Sequence, residues 1–102
     1  SGTGTLIDWL GRIKSGTFCL GEEDRLMIAN ASISFPKGDI FTGSYYAVLN
    51  TEIEHFDGHF AFANGNQLDG TVDIDAAGKQ YIVGRYTYTN GSTVDVNNYA
   101  GN

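Results

Sequence analysis

The sequence predicts an all-β protein, an antiparallel β-meander of repeated hairpins with a short N-terminal amphipathic helix. Two observations support the meander: a composition with 14 glycines and one proline, and one hairpin motif that recurs along the chain. A chain of 102 residues has room for one modest core. We therefore expect an N-terminal segment with the helix at residues 1–15 and a single β-meander repeat domain at residues 16–102.

The recurring motif centres on a three-residue loop that ends in glycine. Such loops lie at residues 36–38, 63–65 and 89–91, so their glycines are spaced by 27 and then 26 residues. This hairpin loop combines a type I turn with a left-handed third residue, a conformation that glycine adopts without strain. Residues 76–78 fit the same loop at the other end of the sheet. Positive φ is therefore expected at four glycines: Gly38, Gly65, Gly78 and Gly91.

The length of these loops decides the register of the strands. A three-residue loop at 63–65 places Phe60 opposite Leu68, whereas a two-residue turn would place Phe60 opposite Asp69. The longer loop is favoured because it pairs apolar with apolar residues. The predicted apolar face then carries Ile33, Phe35, Phe41, Tyr45, Phe56, Phe60, Phe62, Leu68, Val72, Ile82, Tyr86, Tyr88 and Val94. The predicted polar face includes Thr42, Thr71, Thr87 and Asp95.

Four further glycines fall in the middle of predicted strands, on the apolar face: Gly43, Gly58, Gly70 and Gly84. Glycine normally weakens the interior of a strand, so its presence there needs a physical reason. We expect these positions to leave room for neighbouring aromatic rings and to let the sheet coil tightly.

The spacing of glycines and aromatics resembles the membrane occupation and recognition nexus (MORN) repeat over roughly residues 31–97. Residues 58–70 follow the family pattern Gly-x-(Phe/Tyr)-x-(Phe/Tyr)-x-x-Gly-x-x-(Phe/Leu/Val)-x-Gly closely, and residues 38–45 match its second half. The third copy departs from it, with Val96 at the second glycine and Asn98 at the large aromatic. The resemblance implies hairpins laid side by side and a scaffold that docks partner segments or membranes.

Residues before 31 do not follow the predicted repeat. Leu6, Trp9, Leu10 and Ile13 share one helical face, which predicts the short amphipathic helix, although Gly11 inside it weakens the helix. Residues 17–20 and 25–28 are predicted to form two strands, joined by an acidic turn at 21–24.

The charges and the rare residue types argue against several classes of function. A net charge of −6 disfavours nucleic acid and anionic membranes as partners. The single cysteine, Cys19, precludes an internal disulfide and slightly favours a cytoplasmic location. His55 and His59 would stand about 13 Å apart on one strand, too far to hold one metal ion. No metal, cofactor or catalytic set is predicted.

A single-layer sheet needs a cover for its apolar face. We therefore expect a non-catalytic binding or scaffold module that engages a protein partner, for example a helix, through its aromatic face. The predicted partner-binding residues are Phe41, Tyr45, Phe56, Tyr86 and Trp9. Self-association is expected if residues 1–14 are removed.

Two other classes of function stay open at this point. A carbohydrate-binding β module would stack its tyrosines and Trp9 on sugar rings and bind hydroxyls with nearby Asp and Asn. The tyrosines concerned are Tyr45, Tyr46, Tyr81, Tyr86 and Tyr88. A hydrolase would require two carboxylates that face each other across a cleft.

Overall fold

The computed structural model describes residues 1–101, which form one antiparallel sheet of eight strands in chain order. The strands are β1 (Gly2–Ile7), β2 (Ile13–Leu20), β3 (Arg25–Ser34), β4 (Ile40–Val48), β5 (Glu54–Ala61), β6 (Gln67–Ile74), β7 (Gln80–Thr87) and β8 (Thr93–Tyr99). A single turn of 3-10 helix, Glu22–Asp24, joins β2 to β3. The predicted all-β meander of hairpins is confirmed.

The predicted N-terminal helix is wrong, because the residues assigned to it form the hairpin of β1 and β2. The Asp8 N–H donates to the Arg12 carbonyl at 3.0 Å, and Gly11 closes the loop with φ of 82°. The Asp8 carboxylate also accepts the N–H groups of Leu10 and Arg12, each at 2.9 Å. A side chain that binds local N–H groups in this way competes with helix formation. Residue 15, the predicted end of the N-terminal segment, lies inside β2.

This first hairpin is a fourth copy of the repeat. Gly11 precedes Gly38 by 27 residues, the same spacing as between Gly38 and Gly65. The N–H of each loop glycine donates to the carbonyl three residues earlier, at 3.0 Å for Gly11 and 2.9 Å for Gly38, Gly65 and Gly91. The segment 11–16 therefore aligns with 38–43 and 65–70.

The predicted register of the hairpins is confirmed. Phe60 lies opposite Leu68, and Ile33 lies opposite Phe41. Tyr86 lies opposite Val94, and Gly43 lies opposite Gly58. The φ angles of the four loop glycines are 102° at Gly38, 91° at Gly65, 84° at Gly78 and 87° at Gly91. These angles and the bonded ends of each loop exclude the two-residue turn.

The mid-strand glycines form one continuous row across the sheet. This glycine row consists of Gly4, Gly16, Gly43, Gly58, Gly70 and Gly84. On β3, where the row has no glycine, Ala31 lies opposite Gly43 and next to a β-bulge. A Cβ on Gly43 would lie 2.3 Å from the Asp57 carbonyl oxygen, so no side chain fits there. Rings from the two sides meet above the row, as Phe41 and Phe56 do with centroids 5.1 Å apart. The space that the four glycines predicted in mid-strand leave is taken by the backbone of the neighbouring strand, and the expected tight coiling of the sheet stays a prediction.

The core lies on the inner face of β3 to β6. Its buried residues are Ile28, Ala31, Ile33, Phe41, Tyr45, Phe56, Phe60, Leu68 and Val72. Of the residues predicted to be buried, Phe60 is, but Phe35, Phe62 and Tyr86 are half-buried and Val94 is 45% exposed. Val94 lies on β8 at the edge of the sheet, where no further strand packs beside it. On the polar face Thr42 and Asp95 are exposed as predicted, while Thr71 and Thr87 are half-buried.

Candidate binding trough

The inner face folds along the glycine row into a trough with two walls. One wall carries Ile33, Phe41, Phe60, Leu68 and Tyr86, and the other carries Tyr45, Phe56, Val72 and Ile82. Side chains of β1 and β2 close the trough at its N-terminal end. The C-terminal end, over β6 to β8, stays open.

The closed end is held by an ionic cluster of five residues: Asp8, Arg12, Lys14, Tyr45 and Glu54. Arg12 bonds Asp8 through Nε at 2.7 Å and binds Glu54 through both terminal nitrogens, at 3.0 and 2.8 Å. Lys14 Nζ lies 3.0 Å from the Tyr45 hydroxyl and 3.1 Å from Asp8 Oδ2. The Tyr45 hydroxyl donates to Glu54. The cluster therefore ties β2 to β4 and β5 across the trough.

Burial and charge act together on the ionisation of the cluster. Burial acts to raise the pKa of Asp8, but hydrogen bonds from Arg12 and Lys14 outweigh it and lower that pKa to about 2. Burial likewise opposes the charge on Arg12, yet its bonds to Glu54 and Asp8 hold the pKa of the guanidinium above its ordinary value. Burial raises the pKa of the Tyr45 hydroxyl, and Glu54 adds to this effect.

The cluster has the properties of a structural brace. Its two carboxylates face two cations, so the buried charges balance. The raised pKa keeps the Tyr45 hydroxyl protonated at neutral pH, so this group is a poor base. The sequence contained a signal for the cluster: Asp8 and Lys14 occupy positions that hold Phe62 and Leu68 in the third unit.

An apolar groove of about 280 Å³ leads from Arg12 of the ionic cluster to Ile82 at the open end of the trough. Its lining includes Phe35, Phe62, Leu68, Val72, Ile74 and Ile82. The ring of Tyr86 continues the wall between Phe62 and Tyr88, and Asn66 donates to its hydroxyl at 3.1 Å. Tyr88 and Val94 at the end of the wall are each 45% exposed. A ligand has direct access to these side chains.

The residues predicted to bind a partner lie in separate places, although Trp9 and Tyr45 both line a cavity of about 820 Å³ beside the ionic cluster. Phe41, Tyr45 and Phe56 are 0 to 2% exposed, because they form the centre of the core. Tyr86 is half-buried at the open end of the trough. Trp9 is 84% exposed at the tip of the first hairpin, on the opposite half of the sheet. The sequence placed Tyr88 and Val94 on the apolar face, with Tyr88 among the sugar-stacking rings of the carbohydrate alternative, but neither residue was among the predicted protein-binding residues.

The outer face carries polar pairs between neighbouring strands. His59 Nδ1 lies 2.7 Å from Asp69, and His55 pairs with Asp73 and stacks on Tyr46. Cys19 is exposed. Within residues 1–101, no group of three or more His, Cys, Asp or Glu side chains is arranged to hold a metal ion.

Neither a membrane-spanning helix nor a known relative adds to this description. In the part of the chain that the structure describes, no helix has the length and apolarity needed to cross a membrane. Comparisons with protein-family models, with curated proteins and with solved structures find no match to this chain.

Proposed function

We propose that the chain is a non-catalytic binding module that holds a segment of a partner protein in the open end of the trough. The observation that supports this function is the uncovered apolar groove, lined by the half-buried Phe62 and Ile82. Ring contacts through Tyr86 extend this apolar surface to Tyr88, and Val94 lies opposite Tyr86. A contiguous apolar surface of this kind is a common feature of interaction sites. The closed end of the trough serves as a rigid support for it.

The groove and the net charge suggest the chemistry of the partner. Apolar side chains such as Leu or Phe would fill the groove, as in the docking of an amphipathic helix. Asp39 and Arg12 both line the groove, so it is the net charge of −6 that favours Lys or Arg beside these apolar anchors. The same charge makes nucleic acid and anionic membranes poor ligands in this proposal.

We also propose that the four hairpin units are MORN-like repeats. The glycine row and the regular spacing of Gly11, Gly38, Gly65 and Gly91 support this assignment. In this proposal the long loops around Asn50 and Gly78 account for a period longer than usual for the family.

Matched pairs of residues on the two faces allow a direct test of partner binding. Tyr88 and Val94 lie on the inner face with 45% exposure, and Tyr99 and Val83 lie on the outer face with 44% and 41%. Peptides selected by display on the wild-type chain should bind Tyr88→Ser/Val94→Thr roughly tenfold more weakly. The control Tyr99→Ser/Val83→Thr should bind them as the wild type does. Equal affinity for both double variants would rule out the open end of the trough as the binding surface.

Carbohydrate binding is the alternative, and one observation favours it. Tyr46, His55, Asp73, Tyr81 and Tyr99 lie side by side in one row across the outer face. Such a row offers rings for stacking and a carboxylate for sugar hydroxyls. Retention of an oligosaccharide on a glycan array that is lost in Tyr99→Ser/Val83→Thr, but kept in Tyr88→Ser/Val94→Thr, would replace the protein-binding proposal with this one.

A further inference from the structure

The two edges of the sheet carry backbone groups without partners among residues 1–101. Tyr88 N–H donates to the Ser92 carbonyl at 2.8 Å, and hydrogen-bonded pairs alternate from there along β7 and β8. Val94 and Val96 therefore bond to β7. The backbone groups that point away from the sheet on β8 are those of Thr93, Asp95 and Asn97.

The same reasoning applies to the other edge. The bond between Asp8 and Arg12 makes Leu6 and Gly4 the residues of β1 that bond to β2. The outward-pointing backbone groups of β1 are those of Thr3, Thr5 and Ile7. Neither β1 nor β8 contains Pro or Lys, residues that commonly protect sheet edges. Asp95 is the one charged residue on the two strands.

The repeat makes these two edges complementary. In each hairpin unit one strand precedes the loop glycine and one follows it. β1 and β7 are strands that precede it, and β6 and β8 are strands that follow it. The junction of β6 and β7 therefore gives the register in which β8 would accept another β1. The two strands would lie farther apart than in that junction, because a Cβ on Gly70 would lie 2.1 Å from the Val83 carbonyl oxygen and Val96 stands at the position equivalent to Gly70. In that junction Asp69 lies opposite Arg85 and Gly70 opposite Gly84. By equivalence Asp95 would face Thr5, and Val96 would face Gly4, of a second copy.

The loops show the same complementarity. Each loop packs on the next, since Asp39 accepts the N–H of Ala63 at 2.9 Å and Asn66 accepts that of Thr89 at 3.2 Å. The last loop has no such neighbour: a Cβ on Gly91 would have open space around it. At the other end of the series Trp9, the equivalent of Ala63 and Thr89, is 84% exposed.

We infer that β8 of one copy pairs antiparallel with β1 of a second copy, with Asp95 opposite Thr5, so that the sheet continues head to tail. The pairing satisfies both sets of outward backbone groups. It places Val96 opposite Gly4 of the second copy, whose Cβ position has open space around it. It brings the last loop of one copy beside Trp9 of the next. The β1 edge and the β8 edge are different surfaces, so each copy that pairs through its β1 leaves its own β8 free for another copy. Assembly then continues without limit unless the rotation between successive copies closes a ring. The inference is independent of the ligand of the groove.

Charge changes at Thr5 test both the pairing and its register. Thr5 is exposed, and a charge placed there would lie directly opposite Asp95 of the second copy. Thr5→Lys should tighten the association and Thr5→Glu should weaken it, each roughly two- to fivefold, measured by sedimentation velocity over a concentration series. High salt should reduce both effects. Thr42→Lys and Thr42→Glu on β4 make the same changes in net charge away from both edges and should alter the association less.

Specific outcomes would overturn the inference. A wild-type chain that stays monomeric over the whole concentration series removes the pairing, and equal effects of Thr5→Lys and Thr5→Glu remove the register. A closed dimer whose association constant is the same in the wild type and in both Thr5 variants would point to contact through the trough instead. Amide hydrogen exchange gives a second readout: concentration-dependent protection should appear at Thr5 and Asp95, whose N–H groups point outwards, and not at the loop tips.

Discussion

At the scale of single residues, the glycine row is the feature that lets one layer of sheet build a core. At Gly43 the backbone has φ of 148°, and the site of a Cβ is occupied by the Asp57 carbonyl oxygen. The close approach of the strands brings Phe41 and Phe56 into contact across the row. Aromatic rings on both sides are thereby shielded from water without a second layer.

Gly43→Ala should therefore destabilise the protein by more than about 2 kcal/mol, because the methyl group clashes with rigid backbone and the φ angle disfavours a side chain. Gly4→Ala is the matched control in the same row, since a Cβ on Gly4 has nothing within 4 Å. It should change the free energy of unfolding by less than about 0.5 kcal/mol. Urea unfolding measures both, and equal losses would contradict the proposed role of the row.

The pKa of Asp8 gives a second prediction at this scale. That pKa is about 2, below the ordinary value of 3.8, so the ionised Asp8 stabilises the folded state above pH 4 and this contribution fades as the pH falls towards 2. Between about pH 5 and about pH 2, the wild type should lose about 2 kcal/mol more than Asp8→Asn. Urea unfolding at each pH measures this difference. As a control, the exchange of an exposed carboxylate in Glu22→Gln should leave the wild-type pH dependence of the free energy of unfolding in place. If the Asp8→Asn variant showed that same pH dependence, ionisation of Asp8 would not be coupled to folding.

At the scale of the elements, the first hairpin differs from its copies by replacing two apolar residues with charges. Asp8 and Lys14 stand where the third unit has Phe62 and Leu68, and the two side chains are 3.1 Å apart. A buried charge that loses its partner is costly, whereas an apolar pair of similar size is tolerated.

The single variants Asp8→Phe and Lys14→Leu should each destabilise the protein by about 3 kcal/mol or more. The double variant restores the apolar pattern of the other units and leaves the bond between Arg12 and Glu54. It should lose less than the sum of the two single losses, with a coupling of about 1–3 kcal/mol. A double-mutant cycle by chemical denaturation measures this coupling. Additive losses would show that Asp8 and Lys14 act independently.

Most of the hairpin register was readable from the sequence, because a glycine third in its loop fixes the turn and the period of two fixes the faces. The first hairpin was not recognised, since Leu6, Trp9, Leu10 and Ile13 mimic a helical face over only eight residues. The segment from Gly11 to Gly16 was the signal that could have shown it. The bond between Arg12 and Glu54 spans 42 residues, and no local pattern predicts such a contact.

At the scale of the whole molecule, the order of the strands follows the order of the chain. The sheet is therefore built like a solenoid, in which each unit rests on its neighbours and stability is roughly a sum of local terms. The ionic cluster across the trough and the contact between Phe35 and Phe56 add links between parts of the sheet that are not adjacent. The core lies beside these links, on β3 to β6, whereas β7 and β8 carry no buried residue.

The chain order of the strands also has a mechanical consequence. A force applied to the two ends of the chain would act first on the outermost hairpins. Their backbone hydrogen bonds would break one after another instead of many at once. Little resistance would arise while β8 and β7 peel away in turn, and β6 would add the cost of exposing Leu68 and Val72. The first strong resistance would come at β5, where Glu54 is held by Arg12 from the far side of the trough. Under such a force the sheet would therefore be held mainly at one point, the ion pair between Arg12 and Glu54.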